Sequence, residues 1–199
     1  MQTILALRLL LHSGEVRRAI IVCPKPLVPN WLNELKLWAP DVPVEVIGGD
    51  GLTRKVAWTA SNSPLKLVNY ELLTRDSDIV LDESVQFDLV ILDEAQTVKN
   101  SGSQVAKASR LLNGRRRLAL TGTPIENHLG DLCSIFEFLN PGMLGRSSLV
   151  KVHAANPEDR ETRRILADGL RPLILRRTKQ TVASELPEKM EQTIVCRMS

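Results

Sequence analysis

Two carboxylates stand side by side, Asp93 and Glu94, directly after the apolar run Leu89-Val90-Ile91-Leu92. A buried strand ending there would deliver both acids to its tip. Such a pair can divide the work of nucleoside triphosphate hydrolysis. One acid holds Mg2+ through water; the other orients and deprotonates the attacking water. For a bare Asp-Glu pair, a strand-ending turn with two solvated acids is the commoner explanation. The apolar run before it and Ala95-Gln96 after it shift the balance toward chemistry. Leu118-Ala119-Leu120 reads as a second strand, ending in Thr121-Gly122-Thr123-Pro124, and Thr121 lies 28 residues after Asp93. Hydroxyls beside a flexible glycine can link a nucleotide site to a moving partner surface, although Gly-Thr-Pro by itself is also good turn chemistry. A third element of phosphate chemistry, a Gly-x-x-x-x-Gly-Lys-Ser/Thr loop, does not occur: no glycine of the chain is followed by lysine.

Other polar clusters carry weaker signals. Pro24-Lys25-Pro26 and Asn69-Tyr70 hold residue types that meet nucleic-acid phosphates, and ordinary loop composition explains them equally well. Arg115-Arg116-Arg117 and Arg176-Arg177 are more often solvated charge than binding sites. His12, His128 and His153 lack metal-ligand spacing. Trp31 and Trp38 fit a core better than a stacking platform.

The elements that must position these residues follow from periodicity. Ile4, Leu7 and Leu11 share a helical face within 1–12, and Gly14 punctuates its end. Ala19 to Cys23 is a short continuous apolar run, as in a strand buried on both faces, and Leu65 to Val68 is another short strand. Asn30 is placed to cap a helix bearing Trp31, Leu35 and Trp38 on one face. Val44 to Ile47 alternates like a peripheral strand, and a weak helix is expected near Leu52–Trp58. Strand 88–92, a helix near 103–112 closed by Gly114, strand 117–121 and a helix near 129–139 complete the series. Strands alternating with helices predict an α/β fold with a parallel sheet covered on both faces. In such sheets ligands bind at the carboxyl ends of the strands. Pro24, Asn69, Asp93-Glu94 and Thr121 are all expected at those ends.

Composition sets the outer limits. Hydrophobic residues make up 43% and charged residues 25% of the 199 residues, which supports a normal core and excludes global disorder. A formal charge of only +3 means that any basic surface must come from local clustering. Three well-separated cysteines, Cys23, Cys133 and Cys196, suit a reduced intracellular protein rather than a disulfide framework or zinc site. Arg8 interrupts the apolar N-terminus, so no signal peptide is expected. No run approaches the roughly 18 apolar residues of a membrane span.

In order along the chain, these segments resemble the SWI/SNF-type DNA translocases of helicase superfamily two. Ile21-Val22-Cys23-Pro24, with Leu27 and Asn30-Trp31, is similar to that family's motif Ia, and Val68-Asn69-Tyr70-Glu71 to its motif Ib. Leu92-Asp93-Glu94-Ala95-Gln96, with Lys99-Asn100, resembles motif II, and Leu120-Thr121-Gly122-Thr123-Pro124-Ile125-Glu126-Asn127 resembles motif III. Phe138-Leu139-Asn140-Pro141-Gly142, Leu175-Arg176-Arg177-Thr178-Lys179 and Glu185-Leu186-Pro187 look like the segments after the first lobe.

The resemblance implies a three-layer RecA-like lobe, incomplete at its N-terminus, over 1–143, a helical or linker segment over 144–187, and the start of a connection to a second lobe over 188–199. It implies ATP and Mg2+ as cofactors, with Asp93 serving the metal through water and Glu94 as general base. Gln96, Thr121, Gly122 and Thr123 would couple hydrolysis to lobe motion. Pro24, Lys25, Asn69 and Tyr70 would contact the backbone of duplex DNA. The implied partners are duplex DNA, a second motor lobe and a DNA-bound protein complex. The implied compartment is the bacterial cytoplasm or nucleoid, or the eukaryotic nucleus.

The sequence departs from the family in two respects. Many members carry histidine where Gln96 stands. Gln2-Thr3 matches the residues just after the family's Gly-Lys-Thr, so the phosphate loop is expected before Met1, and the second lobe with its arginine finger beyond Ser199. The chain alone is then expected to lack ATP turnover and to expose Leu118–Leu120 on an apolar sheet edge. Two alternatives remain: a non-catalytic DNA- or partner-binding module on the same scaffold, or an unrelated α/β phosphate-handling enzyme.

Overall fold

The computed structural model describes residues 1–122, 129–143, 164 and 168–177. The chain forms two compact units, Met1–Ser147 and Ser148–Ser199. In the first, the described strands are β1 (Ala19–Cys23), β2 (Val44–Val46), β3 (Leu65–Asn69), β4 (Gln86–Leu92) and β5 (Asn113–Ala119). They form one sheet in the order β2-β3-β1-β4-β5, with every neighbouring pair parallel. The helices are α1 (Gln2–His12), α2 (Val28–Trp38), α3 (Gly51–Thr59), α4 (Tyr70–Arg75), α5 (Ser77–Val80), α6 (Gln104–Leu111) and α7 (Leu129–Leu139).

The continuous apolar runs are explained by two cores, one on each face of the sheet. Ala19, Ile21, Cys23, Leu65, Leu67, Leu89 and Ile91 share one core with Ile4 and Leu7 of α1 and with Trp31 and Leu35 of α2. Ile20, Val22, Val68, Val90 and Leu92 point the other way. They share the second core with Trp58 of α3, Leu73 of α4, Ala106 and Ala108 of α6 and Phe138 of α7. Successive strand residues face opposite sides, so a strand covered on both faces must be apolar at every position. Lys66, inside β3, is an exception. Its side chain is fully buried, and its ammonium donates to the carbonyls of Ala57 and Ser61 at the end of α3. Burial pushes its pKa down.

Three local expectations are corrected. Asn30 does not cap α2. The helix begins at Val28, continuing a 3-10 turn over Lys25–Leu27, with proline in its first turn and no side-chain cap. Proline fits there because its missing N–H has no intrahelical partner to lose. Gly114 does not close α6. It lies in β5 opposite Phe87, where an added Cβ would collide with a methyl of Val90. The final strand therefore spans 113–119 rather than 117–121, and all three arginines lie within it. Arg115 and Arg116 are exposed, whereas Arg117 is half-buried. The Arg117 guanidinium donates to Phe138 O at 2.7 Å and Leu112 O at 3.0 Å, and sits 5.0 Å from the centre of the Phe138 ring. Among the described residues β5 is an outer strand of the sheet, and Leu118 is 38% exposed.

In the second unit, Arg171–Leu173 forms a 3-10 turn, and Arg176 and Arg177 are exposed. The segments expected over 144–187 and 188–199 otherwise lie outside the described residues. Among the described residues no helix is long and apolar enough to cross a membrane.

A buried polar cluster anchors α3 to the α4–α5 junction. Asp76 accepts from Arg54 Nε at 2.8 Å, Arg54 Nη2 at 2.9 Å and Trp58 Nε1 at 3.0 Å. Its side chain is 3% exposed and that of Arg54 is 8% exposed. Removing one partner of such a pair leaves the other buried and uncompensated. Asp76→Ala is expected to lower the thermal unfolding midpoint by on the order of 5–10 °C. The exposed Asp78→Ala should leave it nearly unchanged, and a melting scan of both variants checks this.

Candidate functional site

The parallel register brings the strand tips level. Cys23 pairs with Asn69, Val22 with Leu92, and Leu92 with Ala119. The residues that follow are Pro24-Lys25, Tyr70, Asp93-Glu94 and Leu120-Thr121. Four segments remote in sequence therefore meet along one edge of the sheet, as expected for this architecture.

Asp93 sits at the centre and is held from several directions. Its N–H donates to Val22 O at 2.8 Å, and its carbonyl accepts from the Tyr70 hydroxyl at 2.8 Å. In the side chain, Oδ1 accepts from the Glu94 N–H at 3.0 Å and Oδ2 from the Trp31 indole N–H at 2.7 Å. The carboxylate is thus fixed in orientation while remaining half-buried. Its charge acts on its neighbours. Burial first, then Asp93, pushes the Cys23 thiol up to about 12. The same two causes, in the same order, raise Tyr70 well above the usual phenol range, so its hydroxyl stays a proton donor.

Glu94 adopts φ 49° and ψ 54°, the one left-handed non-glycine residue among those described. For a side chain this backbone costs about 1 kcal/mol or more, and such strain clusters at functional sites. Here it turns the chain sharply, so adjacent acids aim differently. Glu94 Oε2 accepts from Gln96 Nε2 at 2.7 Å, and Gln96 Oε1 accepts from Thr121 Oγ1 at 2.8 Å. A hydrogen-bonded line therefore runs from the tip of the β5 segment to Glu94. The backbone reinforces it: Leu120 N–H donates to Leu92 O and Ala95 N–H to Leu120 O, both at 2.8 Å.

The remaining expected site residues divide. Lys25 is exposed and Pro24 half-buried at the end of β1, while Gly122 is exposed beyond Thr121. Asn69 is 8% exposed, and its side-chain oxygen caps α4 by accepting from Leu72 N at 2.9 Å. Tyr70 is 4% exposed with its hydroxyl on Asp93, so its ring faces the interior rather than a ligand surface. Thr123 lies outside the described residues. Sequence reasoning missed Trp31 as a partner of Asp93; its helical spacing signals a core face and says nothing of the indole N–H.

The donor set suits Mg2+. This hard cation takes one or two carboxylates and completes its shell with water and phosphate oxygens, and two adjacent acids at an open strand tip offer that. Among the described residues no group of three His, Cys, Asp or Glu could hold a metal.

Comparison with known proteins agrees with this geometry. The SNF2-related domain family matches residues 1–199. The chain is 37% identical over 205 residues to YwqA of Bacillus subtilis, with 96% of the chain covered but 22% of that protein. It is 32% identical over 210 residues to the DNA repair and recombination protein RAD54-like of Homo sapiens, with 93% of the chain and 28% of that protein covered. The structure of the Sulfolobus solfataricus SWI2/SNF2 ATPase core in complex with dsDNA superposes with a TM-score of 0.80 at 34% identity. That match covers 92% of the chain and 38% of the archaeal chain. The chain thus spans under a third of these two curated relatives. It belongs to the SNF2-related family, and its parallel sheet is the RecA-like α/β fold of SWI2/SNF2 ATPase cores.

Proposed function

We propose that this chain is the first motor lobe of an ATP-dependent translocase that moves along duplex DNA and acts on proteins bound to it. The observation that carries the reading is the line Thr121–Gln96–Glu94 ending beside a tethered Asp93. Ground for the substrates comes from the relatives: one solved neighbour is an ATPase core bound to dsDNA.

Mg2+–ATP supplies the transferable γ-phosphoryl group and the cation that neutralises its developing charge. Asp93, with its fixed carboxylate, would hold the cation through water. Glu94 orients the attacking water and takes its proton. Gln96 Nε2 occupies one lone pair of Oε2 and orients the carboxylate, which leaves Oε1 without that bond. Gln96 and Thr121, continued by Gly122 and Thr123, make the state of Glu94 depend on the β5 tip, where a second lobe would press. Lys25, exposed beside Pro24, meets DNA phosphate. Asn69 and Tyr70 serve that surface indirectly, by capping α4 and by bracing Asp93. The 199 residues contain no Gly-Lys for the phosphates, and by themselves they are proposed to turn over no ATP.

Two measurements test this in the longest natural polypeptide that contains the chain. Glu94→Gln should lower DNA-stimulated ATP hydrolysis by roughly 100- to 10,000-fold, as for loss of a general base, with ATP binding retained. Activity that survives this change would remove Glu94 from the chemistry. Lys25→Ala should weaken duplex binding for all sequences alike and reduce the salt dependence by about one phosphate contact. Salt-sensitive DNA binding without any ATP hydrolysis would favour a non-catalytic scaffold instead.

A further inference from the structure

The indole of Trp31 has an assignment that neither family membership nor the hydrolytic reading supplies. We propose that Trp31 is a positioning residue for the Mg2+ carboxylate: its N–H holds Asp93 Oδ2 and makes helix α2 a structural part of the nucleotide site. The inference rests on the assignment of Asp93 to Mg2+.

The contact spans 62 residues and measures 2.7 Å, the length of a hydrogen bond to a charged acceptor. Trp31 is 9% exposed, and its ring belongs to the core shared by Ile21, Cys23, Leu35 and Ile91. A buried indole has one donor and no acceptor, so it needs a partner. Here that partner is the carboxylate at the tip of β4.

The other two described tryptophans show why this pairing is distinct. Trp38 donates to Glu34 one turn earlier on the same helix, and Trp58 donates to Asp76 within the buried cluster that ties α3 down. Both bonds stay within or between scaffold helices. The Trp31 bond instead ends on an acid that the sheet delivers to its ligand-binding edge.

The consequence is geometric. The Glu94 amide occupies one lone pair of Oδ1 and the Trp31 indole one lone pair of Oδ2. With both oxygens engaged, the carboxylate cannot rotate, and one lone pair on each oxygen remains for the water shell of the cation. Partners that orient a direct metal ligand set affinity at roughly 10- to 100-fold; here a water stands between Asp93 and the cation, so the lower end of that range is expected.

Trp31→Phe keeps an aromatic ring in the core and removes the N–H together with the rest of the five-membered ring, so its effect is read beside the resonance measurement that leaves Trp31 in place. In the longest natural polypeptide containing the chain, the Mg2+ concentration for half-maximal ATP hydrolysis should rise several-fold, up to about 10-fold, with duplex DNA affinity unchanged. A second measurement needs no activity and no altered tryptophan in the observed molecule. With 15N-tryptophan labelling, the Trp31 indole resonance, identified by its loss in Trp31→Phe, should move in Asp93→Asn and on addition of Mg2+ with ATP. An indole resonance indifferent to Asp93→Asn, or an unchanged Mg2+ half-saturation in Trp31→Phe, overturns the proposal. Absence of Mg2+-dependent hydrolysis in the unaltered protein overturns the functional reading as well. A resonance that still moves with Asp93→Asn would then assign the bond to scaffold alone.

Discussion

The pairing of β1 with β4 is the constraint on which the site depends. β1 is the middle strand of the sheet and is buried at all five positions. Two acids of the β4 region clamp it at opposite ends. At the start, Asp88 Oδ2 accepts from the N–H groups of Arg17 at 2.7 Å and Arg18 at 3.1 Å. At the finish, the Asp93 N–H donates to Val22 O. A slip of one residue would exchange the two faces of a strand. Here it would also move Asp93 away from Trp31, which is fixed on one face, and from Tyr70, which follows the neighbouring strand. The alternation that fills the two cores is therefore the same alternation that aims the carboxylate.

Glu94 shows how local strain and long-range contact sustain each other. A left-handed glutamate is unfavourable in isolation. It persists because the next residues are pinned on both sides. Ala95 N–H reaches Leu120 O, and the N–H and hydroxyl of Thr97 both donate to Glu94 O, at 2.9 and 2.8 Å. The Ala95 bond needs β5 alongside β4, so the aim of Glu94 depends in part on a strand that, among the described residues, is exposed at the sheet edge. Motion at the β5 tip would reach Glu94 by two routes, the backbone bond through Ala95 and the side-chain line through Gln96.

How legible this was follows from the physics of each element. β1 and the Leu89–Leu92 part of β4 could be read because burial on both faces demands unbroken apolar runs, and β3 from a short hydrophobic stretch in spite of Lys66. β5 could not be bounded: an edge strand carries no such demand, and Asn113-Gly114-Arg115-Arg116 reads as a turn followed by solvated charge. The start of α2 was hidden because a 3-10 turn and a proline replaced the side-chain cap that sequence patterns advertise. At the site, the convergence of strand tips was legible, since parallel α/β topology implies it. The roles of buried polar groups were not. Asn69 and Tyr70 have the composition of a phosphate-binding loop, yet one caps a helix and the other braces Asp93. Only the side of the sheet on which each helix packs decides between those uses.

Trp31, Trp38 and Trp58 sharpen that limit. Each gives its indole N–H to a carboxylate, so the local chemistry of the three bonds is alike. Sequence separates them poorly, because each tryptophan sits in an amphipathic helix with acids nearby in the chain or in space. What distinguishes them is where the acceptor stands: on the same helix, inside a helical junction, or at the carboxyl edge of a parallel sheet. The first two acceptors are consumed by the scaffold. Asp93 retains unoccupied lone pairs and an open side, so its indole bond orients a group that can still bind something else. A buried donor is thus structural or functional according to what its acceptor has left to offer, and in this lobe the sheet topology sets that remainder.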